Sequence, residues 1–180
     1  VSTALPTPPT VLALDLSLTA TGVADIDGTP YTIASKEKGA ARLHDIRTQV
    51  TRYLDGGGTT WRAGLVAIEG YAFGRANQAH QMGELGGVIR HLLWMLTVPM
   101  VEVSPSQVKQ YACGKGSAKK DDVFAAAIRR LGYEGNSKDE ADALWLRALV
   151  LDALGHPVVT VPAQHRKALA KVVLPAVAPS

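Results

Sequence analysis

The stretch Val11-Leu12-Ala13-Leu14-Asp15 decides how this chain is read. Four consecutive apolar residues end in a single carboxylate, and Leu16-Ser17-Leu18-Thr19-Ala20-Thr21-Gly22 leads straight into another apolar run. Leu65-Val66-Ala67-Ile68-Glu69 repeats the pattern. Short continuous apolar runs of this kind belong to strands buried on both faces, in sheets that helices cover from either side. Each of these two strands ends by delivering one acid to the rim of the core.

Working outward, the spacing predicts a first strand over residues 11–16 and a second over 22–26. Asp27-Gly28, a hairpin-turn dipeptide, returns the chain into a third strand over 31–34. From Arg42 the period changes, and Leu43, Ile46, Val50, Tyr53 and Leu54 fall on one face of a helix that stops at Gly56-Gly57-Gly58. After Glu69 a glycine- and aromatic-bearing loop over 70–78 precedes a long helix to about Leu96, with Met82, Leu85, Ile89, Leu92, Leu93 and Leu96 as its apolar stripe. Gly83 and Gly87, one turn apart on it, permit the close approach of another helix, whether within the subunit or from a second copy.

A fifth strand over 98–103 follows. Ser104-Pro105 then has the form of a helix start, with serine as N-cap and proline in the first turn. That short helix breaks at Gly114-Lys115-Gly116-Ser117, a second runs over 119–131 to Gly132, and a last spans 138–154 before Gly155 and Pro157. The order, three strands, helix, strand, helix, strand and then helices, is that of an α/β domain built on a mixed sheet. Residues 1–10, with three prolines, read as a flexible leader, residues 11–155 as the domain, and 156–180 as a basic extension that packs as a strand and short helix or frays.

Composition narrows the classes. A chain of 180 residues with 47% hydrophobic and 19% charged residues has the make-up of a globular protein with one substantial core. No run approaches a membrane span and no signal core is seen, so a cytoplasmic protein is expected. The single cysteine, Cys113, excludes an intramolecular disulfide or a thiolate metal cluster and reads as a half-buried thiol. Net charge is +3; with four of the 16 acidic residues neutralised by bound cations it becomes +7, which suits a polyanionic partner.

Asp139 and Asp142 stand three apart at the start of the last helix and so share a face, whereas Glu140 points about 100° away. Acids there also complement the helix dipole, which alone would account for them. Together with the strand-end Asp15 and Glu69, however, they make four carboxylates that one pocket can gather. Such a cluster repels itself near neutral pH unless cations are bound, and oxygen-only ligands select magnesium or manganese. Two such ions about 4 Å apart are suited to phosphodiester cleavage.

At these residues the chain resembles the RuvC family of Holliday junction resolvases, from about Val11 to Leu154. The likeness rests on Asp15, on Val66-Ala67-Ile68-Glu69, on Asp139-Glu140-Ala141-Asp142-Ala143-Leu144, and above all on Pro105-Ser106-Gln107-Val108-Lys109-Gln110 followed by Gly114-Lys115-Gly116-Ser117-Ala118-Lys119-Lys120. The resemblance implies an RNase H-like mixed five-stranded sheet flanked by helices. It implies Asp15, Glu69, Asp139 and Asp142 as a catalytic tetrad holding two Mg2+ or Mn2+ ions, with Lys109 and Lys120 assisting at the DNA phosphates. It further implies resolution of four-way DNA junctions by a homodimer formed through the helix from about Asn77 to Leu96, with no small-molecule cofactor. Tyr71, Phe73 and Arg75 occupy the loop where relatives stack an aromatic on unpaired bases, although the third position after Glu69 is here Ala72, so the aromatic is displaced by one. Lys115, Ser117 and Lys119 join the DNA-contacting set, and Gln164-His165-Arg166-Lys167 in the extension either adds phosphate contacts or caps the fold.

Three other readings stay in view. The tetrad serves equally well in a nuclease cutting forks or flaps. Asp15 with Ser17, Thr19 and Gly22 is similar to the first phosphate loop of actin-like kinases and ATPases, but the chain has no room for the second half those enzymes need, and Gly114-Lys115-Gly116-Ser117 departs from the P-loop pattern. A non-catalytic DNA-binding module has no use for four carboxylates, which repel phosphate.

Overall fold

Val11–Asp15 forms the central strand, β1, of a five-stranded sheet in the computed structural model, which describes residues 9–55, 63–70 and 76–175, with 76–82 described by backbone alone. Thr21–Ala24 (β2) pairs antiparallel with β1, and Pro30–Ile33 (β3) pairs antiparallel with β2. On the other side Leu65–Glu69 (β4) and Met100–Val103 (β5) run parallel to β1, giving the order β3-β2-β1-β4-β5. The expected mixed sheet is therefore present, with the strand carrying Asp15 in its middle.

Both faces of this sheet are buried, which is why β1 and β4 read as continuous apolar runs rather than as alternating ones. Leu12, Leu14, Val23, Ile33, Val66 and Ile68 point to one side and pack against the helices Gly39–Leu54 (α1) and Ala76–Met95 (α2). Val11, Ala13, Ala24, Leu65, Ala67, Val101 and Val103 point to the other, toward Pro105–Cys113 (α3), Lys120–Leu131 (α4) and Lys138–Ala153 (α5). The two sides differ in bulk. Three alanines, Ala13, Ala24 and Ala67, with Gly22 beside them, leave room for α5 to lie close on the central strands.

Several contacts hold α5 in that position. Trp145, fully buried, donates its indole N–H to the Val123 carbonyl at 3.2 Å and meets the edge of Tyr111 at 5.9 Å between centroids. Arg147 donates to the carbonyls of Val11 at 3.1 Å and Ile26 at 2.5 Å, tying the helix to β1 and to the β2–β3 turn. At the N-terminal end Glu140 accepts from Thr32 and from Tyr133, each at 2.6 Å, while Ser137 caps the helix by accepting from the Glu140 backbone N–H. Glu140 does point away from Asp139 and Asp142, and it serves as a structural tether.

Element limits differ from the sequence expectations for local reasons. The second strand stops at Ala24 rather than Ile26 because the turn is wider than two residues: Asp25 donates to Thr29 and Gly28, at φ +94°, donates to Asp25. The fifth strand starts at Met100, not 98, because Thr97 adopts φ 53° and Val98 still donates to Leu93 in the helix-terminating turn. The helix expected from Arg42 begins at Gly39. Most of α2's stripe behaves as expected, with Leu85, Ile89, Leu92 and Leu93 buried, but Leu96 is exposed.

Beyond α5 the described residues contain no strand. Ala163–Arg166 (α6) and a 3-10 helix, Lys167–Lys171, pack instead on α3. Their anchor is Asp152, a buried carboxylate that accepts from Tyr111 Oη at 3.0 Å and from Arg166 Nη2 at 2.7 Å. Residues 1–8 of the expected leader and the Gly56-Gly57-Gly58 loop lie outside the described residues.

Candidate active site

The last paired residues of β1 and β4 before their acids are Leu14 and Ile68, so Asp15 and Glu69 stand next to each other at the ends of two parallel neighbours. Both lie on the side of the sheet that carries Ala13 and Ala67, hence toward α5. The N-terminus of α5 arrives over the same spot. One carboxylate oxygen each from Asp15, Asp139 and Asp142 lies within 4.8 Å of the others. Two strand ends and one helix start thus converge: Asp15, Asp139 and Asp142 form one group, and Glu69 stands outside it at the neighbouring strand end, within reach of the Asp15 and Asp142 charges.

Gly22 makes this approach possible. It pairs with Asp15 in the β1–β2 register, and a Cβ placed on it would sit 2.0 Å from the Asp139 carbonyl oxygen. No side chain fits that gap. The sequence reading used Gly22 only as part of a loop pattern; the signal for its positioning role was the run of small residues, Gly22, Ala24, Ala13 and Ala67, at every second position under one helix.

The electrostatics of the cluster follow from its crowding. Burial, then the charge of Asp142, pushes the Asp15 carboxyl up to about 7, against the opposing pull of Lys120. Burial and the Asp15 charge hold Glu69 well above the ordinary carboxylate range, and Asp142 is raised by burial. Lys120 Nζ reaches into the cluster, 2.6 Å from Asp139 Oδ1 and 3.2 Å from Asp142 Oδ2. Although desolvation works against its charge, these carboxylates hold its ammonium above the ordinary range. Lys109, half-buried on α3, lowers the cost of ionising Glu69 and Asp142.

Geometry and donor chemistry fit a hard cation. The donors are carboxylate oxygens only, on rigid elements, and the excess negative charge raises their proton affinity in the way a bound cation would reverse. Cys113 belongs to no such group: it is a free thiol, half-buried, and burial raises it. His165 Nδ1 donates to the Tyr111 carbonyl, 2.8 Å away, and the ring serves as a structural residue.

A family model described as crossover junction endodeoxyribonuclease RuvC matches residues 16–150. The chain belongs to the RuvC family. The RuvC match contains Glu69, Lys109, Lys120, Asp139 and Asp142, and it begins one residue after Asp15. The chain is 37% identical over 86 residues to the crossover junction endodeoxyribonuclease RuvC of Synechococcus sp. (strain CC9605), which covers 47% of this chain and 56% of the relative. The protein of the same name from Prochlorococcus marinus (strain MIT 9303) matches to the same extent, so the alignable part spans a little over half the length of these curated relatives. Among solved structures, Thermus thermophilus RuvC aligns with a TM-score of 0.62 at 24% identity over 83% of this chain and 99% of that one. The T. thermophilus RuvC in complex with Holliday junction substrate gives 0.64 at 23% identity, over 83% and 98%. The fold is accordingly the RuvC, RNase H-like one expected from the sequence.

The remaining predicted residues distribute as follows. Lys115, Ser117 and Lys119 are exposed on the connection between α3 and α4, immediately before Lys120. The α3 start has the expected cap, with Ser104 accepting from Gln107 N–H and the Gln107 side chain accepting from Ser104 N–H at 3.0 Å. Tyr71, Phe73 and Arg75 lie outside the described residues.

Proposed function

We propose that this protein is a metal-dependent, structure-selective endonuclease that resolves four-way DNA junctions by paired phosphodiester hydrolysis. The observation that carries the reading is the convergence of Asp15, Asp139 and Asp142, with Glu69 alongside and Lys120 over them, in a chain of the RuvC family. The T. thermophilus relative was solved in complex with a Holliday junction substrate, which supports a branched-DNA substrate here.

The tetrad Asp15, Glu69, Asp139 and Asp142 would hold two Mg2+ or Mn2+ ions. Bound there, such ions supply Lewis acidity that activates a water and stabilises the leaving oxygen. The protein's own part is positional and electrostatic. The strand ends fix Asp15 and Glu69, α5 fixes Asp139 and Asp142, and Lys120 and Lys109 place cations where charge develops on the phosphate. Lys115, Ser117 and Lys119 extend a polar, basic rim from this pocket for further phosphates, and Tyr71, Phe73 and Arg75 act on unpaired bases near the branch point.

Symmetric cutting calls for two copies, and α2 is the proposed homodimer element. Gly83 and Gly87 face open space on it, and Trp94, 77% exposed, and Met95 continue that surface at its C-terminal end. A Gly87→Arg variant is expected to elute as a monomer in size-exclusion chromatography with light scattering. A DNA substrate places the proposed activity in the cytoplasm. None of the described helices is long and apolar enough to cross a membrane.

One assay tests the activity: synthetic four-way junction, fork, flap and linear duplex, each with Mg2+ or Mn2+, for the wild type and Asp15→Asn. Symmetric paired nicks on the junction, lost in the variant, are the expected result. Equal cutting of fork or flap would replace the resolvase reading with a broader branched-DNA nuclease, and cleavage surviving in Asp15→Asn would overturn the tetrad.

A further inference from the structure

A groove of about 400 Å3 runs between α3 and the C-terminal segment, lined by Ser106, Gln107, Gln110, Gln164, Lys167 and Lys171. Its second wall lies outside the RuvC match, which ends at residue 150. The groove is built rather than incidental. Gln110 Nε2 donates to the carbonyls of Gly114 at 2.7 Å and Gln164 at 2.9 Å, and Gln164 Nε2 donates back to Gly114 at 3.2 Å, so one wall is stapled to the other. Its floor is narrow at Gly116, where a Cβ would sit 3.1 Å from the Ser106 carbonyl. The 3-10 helix is held in place by Ala168, buried against α3, and by Arg166, whose charge is spent on Asp152.

That division of labour among the cations is informative. Residues 156–180 contain no acid, and of the three cations there Arg166 is the anchor, while Lys167 and Lys171 are exposed and form no ion pair among the described residues. Two unpaired ammonium groups therefore line a groove whose glutamine side chains are held in place by their own hydrogen bonds. The groove also shares α3 with Lys109. On α3, Ser106 stands at its edge; Lys109, turned to the acids, lies about 60° to one side, and Gln110 and Gln107 about 40° and 100° to the other. Gly116 joins the groove to the Lys115, Ser117 and Lys119 rim that ends at Lys120.

We infer that this groove is a second phosphate-backbone subsite, in which Lys167 and Lys171 grip a duplex arm of the DNA substrate away from the scissile bond. The inference rests on the DNA-cleaving reading above. A duplex phosphate backbone is favoured over an acidic protein because Lys167 and Lys171 are point cations in a segment without acids, and the Gly116 side of the groove leads directly into the Lys115, Ser117 and Lys119 rim before Lys120, so cations recur along one path, which is the pattern of non-specific backbone contacts.

The test is the salt dependence of binding to a four-way junction with long duplex arms, by fluorescence anisotropy, for the wild type, Lys167→Gln/Lys171→Gln and Lys167→Arg/Lys171→Arg, with thermal melts to check folding and cleavage measured at saturating enzyme. Each phosphate contact contributes about 0.9 to the slope of log K against log salt. The glutamine pair is expected to reduce that slope by about 2 and to weaken binding about tenfold or more at low salt, with the saturated cleavage rate unchanged, and the arginine pair to keep wild-type behaviour. An unchanged slope and affinity, with the wild type binding and cutting normally, would overturn this inference alone and turn attention to an acidic protein partner. A fall in the saturated rate without a fall in affinity, or an equal loss in the arginine pair, would also overturn it. A wild type that neither binds nor cuts branched DNA would remove the nuclease reading and the subsite together.

Discussion

Gly22 on β2 and Asp139 at the start of α5 are in backbone contact that excludes a side chain: a Cβ at Gly22 would lie 2.0 Å from the Asp139 carbonyl oxygen. Since Gly22 is the register partner of Asp15, the same glycine that completes the strand pairing also sets how near the helix-borne acids come to the strand-borne ones. Gly22→Ala must move α5 by more than an ångström or distort β2. Overpacking of this kind costs about 1–3 kcal/mol. The expected outcome is a lowered melting temperature and a loss of Mg2+-dependent cleavage much larger than the loss of DNA binding, checked by melts, cleavage rates and anisotropy side by side.

Metal-free stability should fall with rising pH through the Asp15 titration. Folding raises this carboxyl from 3.8 to about 7, so the folded chain keeps a proton that the unfolded chain has released; its contribution is fully present below pH 3.8 and is lost as pH rises through about 7. Asp15→Asn removes the penalty. In the presence of a chelator at pH 8 the variant is expected to melt about 5 °C above the wild type, on the order of 2 kcal/mol for a chain of this size, and added Mg2+ should narrow the difference by stabilising only the wild type.

Lys120 neutralises the cluster and also competes with cations for Asp139 and Asp142. Lys120→Gln should therefore separate two properties. Metal binding, followed by calorimetry, is expected to tighten about tenfold because a positive charge has left the pocket, whereas cleavage at saturating metal is expected to slow about 100-fold because that charge no longer faces the phosphate. A variant that lost both together would point to a structural role for the lysine.

Arg166 and Asp152 hold the C-terminal segment against α3 and α5. The Asp152 side chain is 1% exposed, and removing its cation leaves a buried carboxylate with the Tyr111 hydroxyl as its remaining partner. Breaking a buried pair costs about 3–5 kcal/mol, and because the Arg166 side chain is half exposed, a loss of roughly 1–3 kcal/mol is expected for Arg166→Met. Hydrogen exchange should show α6 and the 3-10 helix opening first, while Asp152→Asn, which retains a hydrogen-bond acceptor for Tyr111, should cost less.

Much of the site was legible because its acids lie where local pattern is strongest. Asp15 and Glu69 each end an apolar run, and Asp139 and Asp142 keep helical spacing after a serine cap. The strand limits were less legible where hydrogen bonding overrode hydropathy: Ile26 is apolar but lies in the turn, its carbonyl taken by Arg147, and Val98 is β-branched but remains bonded to the end of α2. The tail was ambiguous because its apolar residues carry no clean period, and its helices exist through tertiary anchors, Arg166 on Asp152 and Gln110 on Gln164.

The sequence by itself determined the layered α/β plan and the two apolar strands that end in Asp15 and Glu69, because periodicity and composition are local properties that survive without a partner. Tertiary structure alone decided how far apart the four carboxylates stand, that Lys120 bridges Asp139 and Asp142, and that Lys167 and Lys171 share a groove with α3. The reason is physical: these distances depend on how closely α5 lies on the sheet and on where the C-terminal segment is anchored. Both are set by contacts between residues more than 100 apart in the chain in one case and more than 50 apart in the other.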